Sequence, residues 1–179
     1  VLLVDDHTIV RVGIQMLLQL NMPNVRIAEA SSGKEMQDLL KSTAFDIVIL
    51  DINMPDTDTH NHLYTMKVMY PDLKVLIYSM SPEEIYAVRF VQLGIHGFLS
   101  KDAPKEELLD AIRTILAGNV YFTSKTMKML AGSIMSGKPD INVFGRLSNR
   151  EFEIMTHLIK GKTIKEISGF MQLHPSTIG

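Results

Sequence analysis

Five polar side chains within the first 101 residues stand at or just after the ends of short apolar runs: Asp5, Asp6, Asp51, Ser79 and Lys101. Three carboxylates held close together repel, so a cation must join them or one must take up a proton. A cluster of oxygen ligands with room for water suits Mg²⁺. An aspartate can also act as a nucleophile and form an aspartyl phosphate, whose oxygens a lysine and a serine hydroxyl can contact. These residue types favour metal-assisted phosphoryl transfer, provided that the fold brings them together.

Taken singly, each residue has a simpler explanation. Asp5 and Asp6 could cap the following helix and complement its dipole. Asp51 could belong to a turn, and the serine and the lysine could be solvated side chains. A functional site is favoured over these separate explanations because four apolar runs end on the groups that phosphoryl transfer needs.

The apolar runs are short and β-branched, and they do not alternate with polar residues, as is typical of strands covered on both faces. They are Val1–Val4, Val25–Ala28, Ile47–Leu50, Val75–Tyr78 and Gly97–Leu99. Stretches with helical spacing separate them, with apolar stripes at Val10, Ile14, Leu17 and Leu18 and at Leu108, Ile112, Ile115 and Leu116. Alternating strands and helices predict an α/β fold, a flavodoxin-like, doubly wound five-stranded parallel sheet over residues 1–117. Ligands bind at the carboxyl ends of the strands in such a sheet, so the five polar residues should converge on one edge.

Local signals place the helix starts. Ser31-Ser32-Gly33 precede the second helix. Pro82 opens the fourth helix and Pro104 the fifth, with Asp102 a candidate cap.

Composition narrows the class of protein. The 179 residues are 46% hydrophobic, carry a formal net charge of −2 and include no cysteine, which excludes disulfides, thiolate zinc sites and a cysteine nucleophile. The chain has neither an N-terminal signal pattern nor an apolar run approaching the roughly 20 residues of a membrane span, so we expect a cytoplasmic protein without a membrane partner. Residues 1–117 carry a net charge of −6 and residues 118–179 a net charge of +4, which predicts two modules with different partners.

The basic segment divides into a predicted linker and a helical domain. Residues 118–146 form the linker, with one short helix near Lys125–Met135 followed by a Gly- and Pro-containing stretch. Residues 147–179 begin with a capping box, Ser148 with Glu151, and a helix whose apolar positions are Phe152, Met155 and Ile159 and which ends at Gly161. A second helix is predicted over Thr163–Gln172, with Ile164, Ile167 and Met171 on one face, and a third helix starts at Pro175. Together the helices form an all-α helix-turn-helix pattern. A small helical bundle without a nucleic-acid role fits the same periodicity.

Longer motifs carry a family resemblance. The segments VLLVDDHTIVRVGIQMLL, DIVILDINMP, VLIYSMS and GIHGFLSKDAP resemble the receiver domain of bacterial two-component response regulators. DDHTIVR and SKDAP resemble its NarL/FixJ (LuxR-type) branch in particular, and LSNREFEIMTHLIKGKTIKEISGFMQLHPSTI resembles the LuxR-type DNA-binding domain. The resemblance implies that Asp51 accepts phosphate from a sensor histidine kinase. It also implies that Asp5, Asp6 and Asp51, with the backbone carbonyl of Asn53, hold Mg²⁺.

The resemblance further implies a switch. Ser79 and Lys101 contact the phosphoryl group, and Phe98 matches the aromatic switch residue. Asn53 and Ser81 occupy positions that tune phosphoryl lifetime in the family. On this hypothesis, a phosphoryl group on Asp51 attracts the Ser79 hydroxyl and the Phe98 ring turns inward into the vacated space.

The function implied is a transcription regulator that is not an enzyme, apart from self-phosphorylation and dephosphorylation at Asp51. It would bind promoter DNA and form a homodimer on phosphorylation. One alternative is a phosphorelay or protein-interaction receiver that never meets DNA. Another is a Mg²⁺-dependent aspartyl-phosphate phosphatase of the haloacid-dehalogenase type, although Asp51-Ile52-Asn53 lacks the second acid of that motif.

Three departures from the family pattern stand out. Asp56-Thr57-Asp58-Thr59-His60 replaces a glycine-containing turn, which predicts a reshaped loop. The triplet His60-Asn61-His62 in that loop lacks the spaced ligands of a nuclease, and His7 is expected to be a surface histidine. His174 replaces a capping serine, and Gly179 falls five residues into the third helix. We therefore expect the helix-turn-helix domain to be incomplete at its C-terminus and DNA binding to belong to the parent protein.

Overall fold

A computed structural model describes residues 1–54, 58–136, 147, 149–159, 161–171 and 173–177. The chain divides into two compact units, Val1–Lys128 and Met129–Gly179. The division falls inside the predicted linker 118–146, of which residues 137–146 lie outside the described residues.

The first unit is a parallel sheet with alternating helices, as the sequence predicts. Its elements are β1 (Leu2–Val4), α1 (Thr8–Asn21), β2 (Ala28–Ala30), α2 (Gly33–Ser42), β3 (Ile47–Leu50), α3 (Thr59–Met69), β4 (Lys74–Ser79), α4 (Glu83–Gln92), β5 (Gly97–Ser100) and α5 (Lys105–Leu116), and α6 (Ser124–Ser136) begins in this unit. The strand order is β2-β1-β3-β4-β5, and every pairing is parallel. This confirms the flavodoxin-like, doubly wound fold.

The core forms because the strands are apolar on both faces. All residues of β1 and β3 are buried, and the stripe residues Ile14, Leu18, Leu108, Ile112 and Ile115 belong to one buried cluster with them, against which Val10, Leu17 and Leu116 pack partly buried. Each such aliphatic side chain contributes roughly 1.5–3 kcal/mol when fully buried. The rigid sheet in turn fixes the positions of the strand ends.

Two sequence-predicted boundaries are wrong. The second strand lies at Ala28–Ala30 rather than Val25–Ala28, because Val25 is still held in the turn after α1 and pairing with β1 begins only at Ala28. Asp102 does not cap α5: the N-cap residue is Pro104, and the Asp102 backbone N–H donates to the Ser100 hydroxyl. The predicted start of the second helix is confirmed, and Ser32 caps it by accepting from the Glu35 N–H at the start of α2.

The segment after α5 adds to the edge of the sheet. Phe98 donates its backbone N–H to Tyr121 O at 3.0 Å, and Tyr121 donates to His96 O at 2.9 Å. A Cβ on Gly97 would lie 2.9 Å from Tyr121 O and 2.8 Å from Ile115 Cδ1, so only glycine permits this close approach. The same segment reaches α4: the Thr123 N–H donates to Glu83 Oε1, and Lys125 Nζ lies 3.0 Å from Glu84 Oε1.

The second unit contains the end of α6, α7 (Asn149–Ile159), α8 (Ile164–Met171) and a short 3₁₀ helix (Pro175–Thr177). Phe152, His157 and Ile167 are buried, and the His157 ring meets the edge of Phe170 at a centroid distance of 4.8 Å. Two residues of the predicted apolar faces, Ile159 and Ile164, are exposed. They flank the turn between α7 and α8, where no third element among the described residues covers them. The predicted cap Ser148 lies outside the described residues.

The start of α8 has a capping box that the sequence analysis missed. Glu166 donates its backbone N–H to Thr163 Oγ1, and Glu166 Oε2 accepts from the Thr163 N–H at 2.7 Å. The spacing Thr-x-x-Glu is the recognised signal for this motif, so it could have been found from the sequence.

His96 makes the stability of the first unit depend on pH. Its Nδ1 accepts a hydrogen bond from the Val75 N–H at 3.2 Å. Burial, followed by the charge of Lys74, lowers the pKa of His96 from its ordinary value of 6.5. Because the folded state resists protonation, the unfolded chain binds more protons as the pH falls, and stability present above pH 6.5 is lost below it.

We therefore expect the free energy of unfolding, measured in urea, to fall between about pH 7.5 and about pH 5.5. The decrease should be smaller in His96→Asn, whose side-chain oxygen can still accept from Val75 but takes up no proton. His174→Asn, at an exposed position, is the matched control. Equal pH slopes for wild type and His96→Asn would contradict this role.

Candidate functional site

The acidic residues lie where the strand order reverses. β1 is followed in space by β2 on one side and by β3 on the other, so the carboxyl ends of β1 and β3 flank the crevice in which such sheets bind ligands. Asp5 and Asp51 come directly after these two strands. Their backbone N–H groups continue the sheet, donating to Ala30 O at 3.1 Å and to Val4 O at 2.9 Å. The sheet itself thus places both carboxylates, which are 3% and 2% exposed.

Lys101 joins these two carboxylates. Its Nζ lies 2.6 Å from Asp5 Oδ2 and 2.7 Å from Asp51 Oδ2, and the side chain is 11% exposed. Burial by itself lowers the pKa of Lys101, but hydrogen bonds and charge from Asp5 and Asp51 outweigh that effect and raise the pKa above 10.5. At neutral pH the bridge is therefore a charged ammonium between two carboxylates.

Asp6 is the carboxylate of this cluster that Lys101 does not contact. Its Oδ1 is buried and accepts no hydrogen bond from the described residues, although His7 Nδ1 lies 2.9 Å away and would pair with it when protonated. Asp5, Asp6, His7 and Asp51 each offer a ligand atom within 4.8 Å of the others. Three carboxylates against one ammonium leave negative charge at this edge, so the donor set fits an oxygen-coordinated divalent cation.

The other oxygen of Asp51 is held by polar groups. Asp51 Oδ1 accepts from the Asn53 backbone N–H at 2.9 Å and from the Ser79 hydroxyl at 3.0 Å. Ser79 ends β4 next to β3, which explains its proximity. The five residues singled out from the sequence therefore lie at one edge, four of them joined by direct contacts and Asp6 within the same group of ligand atoms.

Phe98 lies on β5 and is 2% exposed. The Ser79 hydroxyl contacts the Asp51 carboxylate directly in this structure. The switch role of Phe98 stays a prediction.

Arg11 supports the site, and the sequence analysis missed it. Its Nη1 donates to the backbone carbonyl of Asp5 at 2.6 Å, while its Nε donates to Glu29 Oε2 at 2.9 Å. Glu29 is on β2, opposite Leu3 in the register. The pair ties the turn that carries Asp5 to the neighbouring strand. The only signal in the sequence for this role was the position of a basic residue one helical turn after Asp5 and Asp6.

The histidine triplet has a different place from the one predicted. His60 and His62 lie in the first turns of α3 rather than in a loop, and Asp58 caps that helix by accepting from the Asn61 N–H at 2.9 Å. His62 Nδ1 lies 3.0 Å from Gln37 Nε2, and its ring packs so closely on Gly33 that a Cβ there would clash. His62 therefore packs α3 against α2. Residues 55–57 of the loop that was predicted to be reshaped lie outside the described residues.

This sheet order, with acids at its carboxyl edge, is that of a receiver domain. Residues 1–113 match the family described as response regulator receiver domain. Response regulator UvrY of Escherichia coli (strain K12) is 31% identical over 179 residues, which cover 99% of this chain and 82% of UvrY. The chain therefore belongs to the response regulator family.

Solved structures agree on the fold. RcsB from Salmonella enterica serovar Typhimurium, bound to promoter P1flhDC in the presence of the phosphomimetic BeF3-, matches with a TM-score of 0.73 and 22% identity over 99% of this chain and 85% of that one. A structure of two RcsB dimers bound to two parallel DNAs matches with a TM-score of 0.64 and 22% identity over 99% of this chain and 84% of that one. In the part of the chain that the structure describes, no helix is long and apolar enough to cross a membrane.

Proposed function

We propose that this response regulator is phosphorylated on Asp51 by a sensor histidine kinase in the presence of Mg²⁺, and that the acyl phosphate controls DNA binding and transcription. The observation that carries the proposal is the convergence on one carboxylate of a lysine ammonium at 2.7 Å and a serine hydroxyl at 3.0 Å. A nucleophile flanked by groups that can contact a phosphoryl group is what phosphoryl transfer requires.

In the proposed step, a carboxylate oxygen of Asp51 forms a bond to the phosphorus of a phosphohistidine. The phosphorus–nitrogen bond breaks, and its electron pair stays on that ring nitrogen; with the other ring nitrogen of the phosphohistidine already protonated, the leaving group is a neutral imidazole. Lys101 and Ser79 then shift from the carboxylate to the phosphoryl oxygens, where charge-assisted hydrogen bonds are strongest. No general acid is needed, because the neutral imidazole is a good leaving group.

The residues that would hold Mg²⁺ are Asp5, Asp6 and Asp51, with the backbone carbonyl of Asn53. The buried, hydrogen-bond-free oxygen of Asp6 supports this assignment, because such an oxygen is costly unless a cation joins it. When bound, the ion would neutralise charge on the transferring phosphoryl group.

DNA binding is proposed for the second unit. Its two helices α7 and α8 with the following 3₁₀ turn have the order of a helix-turn-helix, and the relatives include a regulator seen on promoter DNA. The dimers in which RcsB binds DNA support homodimer formation as the accompanying event. The alternatives are a receiver that acts through protein contacts alone and a phosphatase.

The test is incubation with a small-molecule phosphodonor, with and without Mg²⁺, followed by mapping of the modified residue and measurement of molecular size in the same samples. We expect Mg²⁺-dependent incorporation of one phosphoryl group on the peptide that contains Asp51. Binding of the parent protein to a palindromic DNA site should then increase with phosphorylation and weaken as salt is raised. A phosphate mapped to another residue would contradict the proposal, and rapid turnover of a phosphomonoester would favour the phosphatase.

A further inference from the structure

The peptide group that joins Asp5 to Asp6 is held by a side chain from helix α1. Arg11 Nη1 donates to the oxygen of this peptide, Asp5 O, at 2.6 Å. The Arg11 side chain is 12% exposed, so little water competes for this charge-assisted bond. Because a peptide group is planar, the carbonyl of Asp5 and the amide of Asp6 turn together. Arg11 therefore fixes the direction in which the backbone leaves the first acidic residue and enters the second.

The two carboxylates on either side of this peptide are supported differently. The Asp5 carboxylate accepts from the His7 backbone N–H at 2.8 Å and contacts Lys101 Nζ at 2.6 Å. Asp6 Oδ1 is buried and accepts no hydrogen bond from the described residues, although His7 Nδ1 lies 2.9 Å away. The direction of the Asp6 side chain therefore depends chiefly on its backbone, and so on the peptide that Arg11 holds.

Glu29 holds the guanidinium group of Arg11 from the neighbouring strand. Its Oε2 accepts from Arg11 Nε at 2.9 Å, and Glu29 stands on β2 opposite Leu3 of β1. A third contact, from Arg11 Nη2 to Thr8 Oγ1 at 3.3 Å, lies within helix α1. The three nitrogens of one planar group thus join a helix, a strand and the turn that carries the acidic residues. A lysine has the same charge, but its single ammonium group cannot reproduce this planar fork of donors.

We propose that Arg11 is a positioning residue for Mg²⁺: by holding the peptide between Asp5 and Asp6, it keeps the Asp6 carboxylate within the ligand cluster. Glu29 acts through Arg11, because it fixes the guanidinium group. This inference rests on the proposed function, since it assigns Arg11 a role in the metal site of that function. Without the fork of donors the peptide is free to rotate, and the Asp6 carboxylate turns to solvent and is lost as a ligand.

The test measures the dissociation constant for Mg²⁺ by NMR titration of the backbone amide signals, without any phosphodonor. We expect Arg11→Lys to raise that constant about tenfold, the loss typical when a group that supports a metal ligand is removed. The charge near the site is the same in this variant, so a weaker affinity reports geometry rather than electrostatics. Arg113→Lys, the same change at an exposed residue of α5, is the matched control and should bind Mg²⁺ as wild type does.

Glu29→Gln separates the position of the guanidinium group from the charge of Glu29. In the wild-type background this variant should also weaken Mg²⁺ binding, because the guanidinium group loses its ionic partner. In the Arg11→Lys background it should change the dissociation constant by less than about twofold, since Glu29 acts through Arg11. A loss of equal size in both backgrounds would overturn this role of Glu29, because a direct effect of its charge on the ion does not depend on Arg11.

A second measurement needs no metal. The amide nitrogen signal of Asp6 reports hydrogen bonding to the Asp5 carbonyl, because both groups belong to one peptide. Without Mg²⁺ this signal should shift in Arg11→Lys and stay in place in Arg113→Lys. The dispersion of the same spectrum shows whether each variant is folded. If Arg11→Lys is unfolded, Glu29→Gln provides both measurements, because it loosens the guanidinium group without removing it.

The outcomes separate the two proposals. A wild-type protein that binds no Mg²⁺ would overturn the metal site of the proposed function, and this inference with it. If wild type binds Mg²⁺ and Arg11→Lys binds the ion equally well, only the role of Arg11 is overturned. An unmoved Asp6 signal in a folded Arg11→Lys protein would overturn that role as well, because it would show that the peptide keeps its environment without the fork of donors.

Discussion

Asp51→Asn is expected to abolish phosphorylation by a small-molecule phosphodonor. The amide is a poor nucleophile at phosphorus, and each remaining carboxylate of the cluster is displaced from the position to which Ser79 and Lys101 converge. The variant should still fold, because the side-chain oxygen of asparagine can accept from the Asn53 N–H and from Ser79, but its amide nitrogen replaces the oxygen that Lys101 contacts at 2.7 Å, so a loss of stability is expected. Intact-mass measurement after incubation with phosphodonor and Mg²⁺ gives the result directly, as the absence of one added phosphoryl group.

The control for this variant is Asp72→Asn, which makes the same chemical change at an exposed residue outside the cluster. It should be phosphorylated as wild type is. Urea unfolding of Asp72→Asn should agree with wild type to within about 1 kcal/mol, as expected for a change at an exposed residue, whereas Asp51→Asn should be less stable because it removes the Asp51 oxygen that Lys101 contacts. Phosphorylation of Asp51→Asn at the wild-type level would remove the basis of the proposed function.

Lys101→Met is expected to produce the second large effect, on both rate and stability. The two carboxylates that Lys101 joins are 3% and 2% exposed, so removal of the ammonium leaves two buried charges without a compensating cation. Losing one partner of a buried ion pair costs roughly 3–5 kcal/mol, and the partial access of solvent here places the expected loss at the lower end. Loss of one group that contacts the transferring oxygens should slow phosphorylation by about a hundredfold or more.

Mg²⁺ makes this prediction specific. If Asp5, Asp6 and Asp51 hold Mg²⁺ as proposed, the Lys101 ammonium should compete with the ion for Asp5 and Asp51 in wild type, whereas in Lys101→Met it cannot. Added Mg²⁺ should therefore raise the unfolding free energy of the variant more than that of wild type, since a ligand stabilises the state that binds it. Lys105→Met, at a side chain 73% exposed, is the control and should match wild type. Equal Mg²⁺ stabilisation of Lys101→Met and wild type would contradict competition at this cluster.

The convergence of Asp5, Asp51, Ser79 and Lys101 could be predicted because it depends on topology alone. Parallel strands have their carboxyl ends at one edge, so a residue that follows a strand lies at that edge whatever its neighbours are. The same reasoning could not find Arg11. This residue is on a helix, and what its side chain reaches depends on how the helix is rotated and how far it lies from the sheet.

The boundaries that were mispredicted have a similar cause. Val25 belongs to an apolar run typical of a strand, but a strand exists only where the backbone pairs, and pairing with β1 starts at Ala28. Ile159 and Ile164 fit their helical stripes, yet burial needs a neighbour on that side. Periodicity identifies the face of a helix and says nothing about what covers it.

The amino-acid sequence was thus enough to predict the alternation of strands and helices, the sheet edge at which the acidic residues lie and the chemistry that they favour. These properties follow from the apolar runs and from the residues that end them. Which groups hold the acidic residues in place depends on the tertiary packing. The hydrogen bond of Arg11 to Glu29 joins residues 18 apart in the chain, and its geometry arises only when helix α1 settles against the sheet.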